Sequence, residues 1–139
     1  MPRRYGHRYG AEAFKRIVRY CGDIGIKYVT VYAFSTENWK RPEEEVGALM
    51  QLFRYYTKRL LKIATTSNVR VKMIGERSRF AQDIIDGINQ LEEQTKENTG
   101  LTFIIAVNYG GRDEILRSVK ALTAECMEQG RDPQDLTED

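Results

Sequence analysis

Residues 32–46 read YAFSTENWKRPEEEV. The stretch opens as the end of a buried strand and closes as the first turn of a helix. Pro42 suits a first helical position, and Glu43, Glu44 and Glu45 suit the positive amino end of a helix. A strand that runs directly into a helix is half of a βαβ unit, and it points to an α/β fold. Between the two, segment 35–41 carries Ser35 and Thr36, Glu37, Asn38, the only tryptophan of the chain, Lys40 and Arg41. A plain connector needs only a turn.

Three β-rich runs lie along the chain: KYVTVYAF (27–34), VRVKMI (69–74) and LTFIIAV (101–107). Helical spacing separates them. Residues 11–22 bring Ala11, Phe14, Ile17 and Val18 to one face, and residues 43–64 do so with Val46, Leu49, Met50, Phe53, Leu60 and Leu61. Residues 78–95 align Phe80, Ile84, Ile88 and Leu91. Residues 113–128 align Ile115, Val119, Leu122 and Met127. The order predicts a mostly parallel sheet with flanking helices, and the continuous apolar runs predict strands buried on both faces. No linker, repeat or low-complexity tract divides residues 1–139, so a single domain is expected. No strand precedes the first helical pattern, and the closing DLTED reads as a helix start. The expectation is an incomplete domain, truncated at both ends.

The 139 residues are 41% hydrophobic and 30% charged, which gives a core and a wet surface rather than disorder. A net charge of +2 argues against a general nucleic-acid binder. The two cysteines, Cys21 and Cys126, make no metal-type pair and suit a reducing compartment. No apolar run reaches the roughly 18 residues of a membrane span, and no signal pattern opens the chain. A cytoplasmic protein is expected, with peripheral membrane contact left open.

Parallel strands place every strand-to-helix loop on one edge of the sheet, where open α/β sheets bind ligands. The three loops read STENWKR (35–41), GERSR (75–79) and NYGGR (108–112), each with arginine and each leading to a helix amino end. Together they suit a polyanion such as a diphosphate. Two readings of the first loop stand side by side. In one, Trp39, Asn38 and the fork of Arg41 grip a ligand. In the other, Trp39 folds back onto the core and Arg41 pairs with Glu45. GERSR reads as a solvated turn with Ser78 capping the next helix. The stretch RRYGHRYG (3–10) sets Arg3, Arg4, His7 and Arg8 at a helix start, as a phosphate site or as a basic terminus.

The segments GHRYGAEAF, YVTVYAFSTENWKRPEEEVGALMQLF, VRVKMIGERSRF and NTGLTFIIAVNYGGRDEI together resemble the cis-prenyltransferases, in particular the undecaprenyl diphosphate synthases. The likeness covers nearly the whole chain, and YAFSTENWKRP is its most specific part. The resemblance implies an isoprenyl transferase that condenses isopentenyl diphosphate onto an allylic diphosphate such as farnesyl diphosphate, making a polyprenyl diphosphate lipid carrier. It also implies Mg2+, a homodimer and a hydrophobic product tunnel. Carried over by position, Arg3, His7, Ser35, Thr36, Glu37, Trp39 and Arg41 look like substrate-binding residues. Asn38 matches the position of a proton acceptor, and Glu45 an acid that orders the loop. Ala33, Leu49, Leu52, Phe53 and Tyr56 match tunnel-lining positions. The family's Asp-Gly-Asn-Gly-Arg-Trp loop and its later arginine and glutamate motif are not in this sequence, so no metal ligand is assigned. The 139-residue chain by itself is therefore expected to be inactive. The alternative is a non-catalytic module of the same fold that binds prenyl diphosphates or partners a dimer.

Overall fold

The structure, a computed structural model, describes residues 3–137; the side chains of residues 3–5, 7, 8, 11 and 65 lie outside the description. Four helices and three strands alternate: α1 (Arg3–Asp23), β1 (Tyr28–Ser35), α2 (Glu43–Thr66), β2 (Arg70–Ile74), α3 (Gln82–Thr95), β3 (Thr102–Tyr109) and α4 (Gly111–Gln129). A short 3-10 helix, Thr36–Lys40, fills the first strand-to-helix connection. All strand pairs are parallel, in the order β1-β3-β2, so β3 is central.

The core forms on one face of this sheet. Val71 and Met73 of β2 and Phe103, Ile105 and Val107 of β3 meet Ile84, Ile88 and Leu91 of α3 and Ala64 of α2. Val29 and Val31 of β1 and Val18 and Cys21 of α1 pack against the same cluster. Alternation would then turn Ala33 inward, but the pairing skips it: Tyr32 faces Ala106 and Phe34 faces Val107. This bulge buries Phe34 and leaves Ala33 exposed. One residue on, Ser35 faces Tyr109, which leaves Asn108 of β3 out of register in compensation.

The expectation of strands buried on both faces holds for β3 and not for β1 or β2, where Lys72 and Ile74 are exposed. Tyr28 and Tyr32 of β1 are exposed, as are Phe14 and Ile17 of α1 and Ile115, Val119 and Leu122 of α4; Cys126 is the buried residue of α4. Helical periodicity identifies a stripe but not what it packs on.

The outer edge of β2 is closed by side chains. Val71 donates its N–H to Thr95 Oγ1 (3.1 Å) and Met73 donates its N–H to Glu92 Oε1 (2.8 Å). Arg77 Nη2 donates to the Met73 carbonyl (2.9 Å) and pairs with Glu92. Thr95, fully buried, in turn donates to the Leu91 carbonyl (2.8 Å). Among the described residues no helix is long and apolar enough to cross a membrane.

Candidate active site

The three loops after β1, β2 and β3 meet at one edge, as the parallel topology requires. Phe34 turns inward at the end of β1, and Trp39 follows it. The indole lies edge-on to Phe34 (4.9 Å between centroids) and 5.8 Å from Phe80, which itself stacks on Phe53 (5.9 Å). The guanidinium of Arg79 sits 4.4 Å over the indole, a cation–π contact. Trp39 Nε1–H donates to Asn108 Oδ1 at 2.7 Å. Of the two readings left open for this segment, the contacts of the second are present: Trp39 rests on the core and Arg41 Nη1 pairs with Glu45 Oε1 at 2.6 Å. Arg41 is exposed and Glu45 half-buried in this pair.

Ser35, Thr36 and Asn38 are half-buried and Glu37 is exposed. Asn38 folds back on its own turn, accepting the Ser35 N–H at Oδ1 (3.0 Å). Thr36 lies against the third loop, where a Cβ at Gly110 would come within 2.4 Å of its Oγ1. The second loop closes on β3 as tightly: Gly75 has φ +112, and a Cβ there would lie 2.0 Å from the Val107 carbonyl oxygen. Asn108 Nδ2 donates to the Glu76 carbonyl at 2.8 Å, so the amide joins the first loop to the second.

Ser78 does not cap α3, whose N-cap is Ala81. Its N–H instead donates to Glu76 Oε1 (2.7 Å), and this bond holds the Glu76 carboxyl below the usual carboxylate range. A carboxylate two residues back closes the turn before the helix can begin. Beside this edge, Tyr109 stands edge-on to Tyr32 (5.5 Å) and donates its hydroxyl to Glu114, which pushes the phenol pKa up.

The tunnel-lining candidates divide. Leu49, Leu52, Phe53 and Tyr56 follow one another at helical spacing on α2 and are half-buried; Phe53 belongs to the core packing, and Tyr56 lies edge-on to Tyr55 (5.2 Å). Ala33 stands apart on the bulge of β1. Arg3 and His7 fall in the first turns of α1, and their side chains lie outside the described residues. Sequence reading placed Asn108 and Arg79 in edge loops without giving either a role of its own; an asparagine ending an apolar β run was the available signal for the first, and an arginine in a loop for the second. Among the described residues no three His, Cys, Asp or Glu side chains gather to hold a metal ion, so they supply no complete protein ligand set for magnesium.

The family model described as "Putative undecaprenyl diphosphate synthase" matches residues 1–139. The isoprenyl transferase of Clostridium tetani is 42% identical over 139 residues, covering 100% of this chain and 54% of that protein. The isoprenyl transferase of Clostridium acetobutylicum is 50% identical over 124 residues, covering 89% of this chain and 48% of that protein. Among solved structures, lavandulyl diphosphate synthase from Lavandula x intermedia in complex with dimethylallyl diphosphate aligns with a TM-score of 0.90 at 30% identity, over 97% of this chain and 58% of that one. A probable undecaprenyl diphosphate synthase from Campylobacter jejuni aligns at 0.79 and 32% identity, over 94% of this chain and 60% of that one. The chain spans about half the length of the curated relatives it matches. With sequence, parallel-sheet architecture and loop edge in agreement, the chain belongs to the prenyltransferase family of undecaprenyl diphosphate synthases and isoprenyl transferases.

Proposed function

We propose that this chain supplies the loop edge of an isoprenyl transferase acting on isopentenyl diphosphate and an allylic diphosphate such as farnesyl diphosphate. In that reaction a carbon–carbon bond forms as diphosphate leaves the allylic partner and a proton leaves the isopentenyl partner. The observation that carries the reading is the meeting of all three strand-to-helix loops around segment 35–41. Arg41 and Arg79 lie on that edge, and the half-buried stripe of α2 begins beside it.

Arg41 is an exposed planar fork whose present partner is the half-buried Glu45 carboxylate, suited to trade for a diphosphate oxygen. Ser35, Thr36 and Glu37 would bind the substrates, with Asn38 orienting the reacting ends or receiving the proton, and Glu45 would order the loop. Arg3 and His7 would add diphosphate contacts. The stripe Leu49–Leu52–Phe53–Tyr56, with Ala33, would line a tunnel. Each added isoprene unit favours burial, at about 0.8 kcal/mol per CH₂-sized group. Magnesium would assist departure of the diphosphate. A cytoplasmic homodimer with peripheral membrane contact at product release completes the reading.

The test replaces the matching 139 residues of the Clostridium tetani isoprenyl transferase with this chain and supplies farnesyl diphosphate, labelled isopentenyl diphosphate and magnesium. Labelled polyprenyl diphosphate is expected. A folded chimera without product overturns the reading and favours a non-catalytic binding module. The 139-residue chain alone, carrying no Asp-Gly-Asn-Gly-Arg-Trp sequence, is expected to give no product in the same assay.

A further inference from the structure

Asn108 is 2% exposed, at the carboxyl end of the central strand. A buried amide is costly unless both of its halves are bonded. Both are, and to different loops: Oδ1 accepts the Trp39 indole N–H and Nδ2 donates to the Glu76 carbonyl. Its backbone carbonyl also faces the Glu76 N–H at 3.4 Å. The residue sits out of register between Val107 and Tyr109 with φ 47, in the left-handed region. Glycine adopts that region without penalty, and asparagine is among the few other residues that visit it. A strand end that needed only this turn would be served by glycine. What asparagine adds is the side chain, which the bulge turns into the gap between the loops.

The indole it holds is restrained on other sides by Phe34 and by Arg79. Asn38 and Arg41 stand one and two residues from Trp39 along the chain, so the position of the indole sets theirs. We infer that Asn108 is a positioning residue for isoprenyl transfer: it latches the Trp39 end of segment 35–41 to the loop after β2 and thereby aims Asn38 and Arg41. This inference rests on the function proposed above. Asn108 touches no reacting atom and acts through Trp39.

The test uses two variants in the Clostridium tetani chimera. Asn108→Gly keeps the left-handed backbone and removes both bonds. Asn108→Asp keeps an acceptor for the indole and loses the donor to Glu76, and it stands in should the first variant fail to fold. For Asn108→Gly, kcat is expected to fall by about 10- to 100-fold, as for a misplacement on the order of 1 Å, with a smaller rise in KM for the diphosphate that Arg41 holds. Trp39→Phe keeps a ring and deletes the indole N–H. It should lower kcat by itself, and adding Asn108→Gly to it should cost little more. In the 139-residue chain Trp39 is the sole tryptophan. Its indole N–H resonance should shift upfield in Asn108→Gly and stay near its place in Asn108→Asp. Normal kcat in a folded Asn108→Gly chimera, or effects of Asn108→Gly and Trp39→Phe that simply multiply, overturns the latch alone. An inactive parent chimera instead removes the proposed function beneath it.

Discussion

The hydroxyl of Thr36 occupies the space that a side chain at Gly110 would need, 2.4 Å from where its Cβ would lie. The first and third loops therefore touch through the absence of a side chain. Gly110→Ala is expected to drive Thr36 from its rotamer, at a cost of about 1 kcal/mol. Removing the obstructing hydroxyl with Thr36→Ala should recover most of that loss in the double variant. Urea unfolding of the four proteins measures the coupling; additive losses would place the contact elsewhere.

Asn38 and Arg41 separate function from bracing by magnitude. The Arg41–Glu45 pair is partly exposed and four residues apart, so Arg41→Ala should cost stability only about 0.3–0.5 kcal/mol. Its expected signature in the active chimera is a KM for one diphosphate substrate raised on the order of tenfold or more, the worth of a charge-assisted hydrogen bond. Asn38→Ala loses its bond to the Ser35 N–H, about 1 kcal/mol of stability, and should lower kcat on the order of 10²-fold. Steady-state constants taken well below the melting temperature decide the matter. Normal kinetics with lowered stability would make the loop scaffolding.

Arg54 joins α2 to α3 through two bonds to Asp83, of 2.5 and 3.0 Å, and holds the Asp83 carboxyl below its usual range. A carboxyl depressed by folding contributes fully above its unfolded pKa of about 4, and the contribution is lost as pH falls through the folded value. Asp83→Asn should therefore be slightly less stable than the parent at neutral pH. The difference should close as the solution is acidified well below pH 4. Equal stability deficits at both ends of that range would refute the assignment.

Gly75 combines φ +112 with a Cβ position 2.0 Å from the Val107 carbonyl oxygen. Neither obstacle is a flexible side chain. Gly75→Ala is expected to lose about 3 kcal/mol or more, and circular dichroism during heating would read it as a much earlier transition. An unchanged midpoint would mean that the β2 turn relaxes freely.

Much of this architecture could be read along the chain. The runs at 27–34, 69–74 and 101–107 are short, apolar and β-branched, and parallel topology alone sends their following loops to one edge. Local pattern fails where the answer depends on residues far apart. The skipped Ala33 is compensated by Asn108 on another strand, so alternation read within β1 turns the wrong residue inward. The resting place of Trp39 is set by Phe80 and Asn108, and that of Arg79 by Trp39. Ser78 looked like a cap because a hydroxyl preceded a helical pattern; the Glu76 carboxylate closes the turn first.

The side chains along β2 also cap that edge of the sheet against growth. An unpaired strand edge is a template on which another chain can crystallise as cross-β. To add there, an incoming strand must evict Thr95, Glu92 and Arg77 from backbone groups they already satisfy, each bond contributing about 0.5–1.5 kcal/mol. Intermolecular zipper formation is thus poisoned on the β2 side by α3 and the loop that leads into it. Replacing Glu92 and Thr95 by alanine would free the Val71 and Met73 N–H groups for an incoming strand.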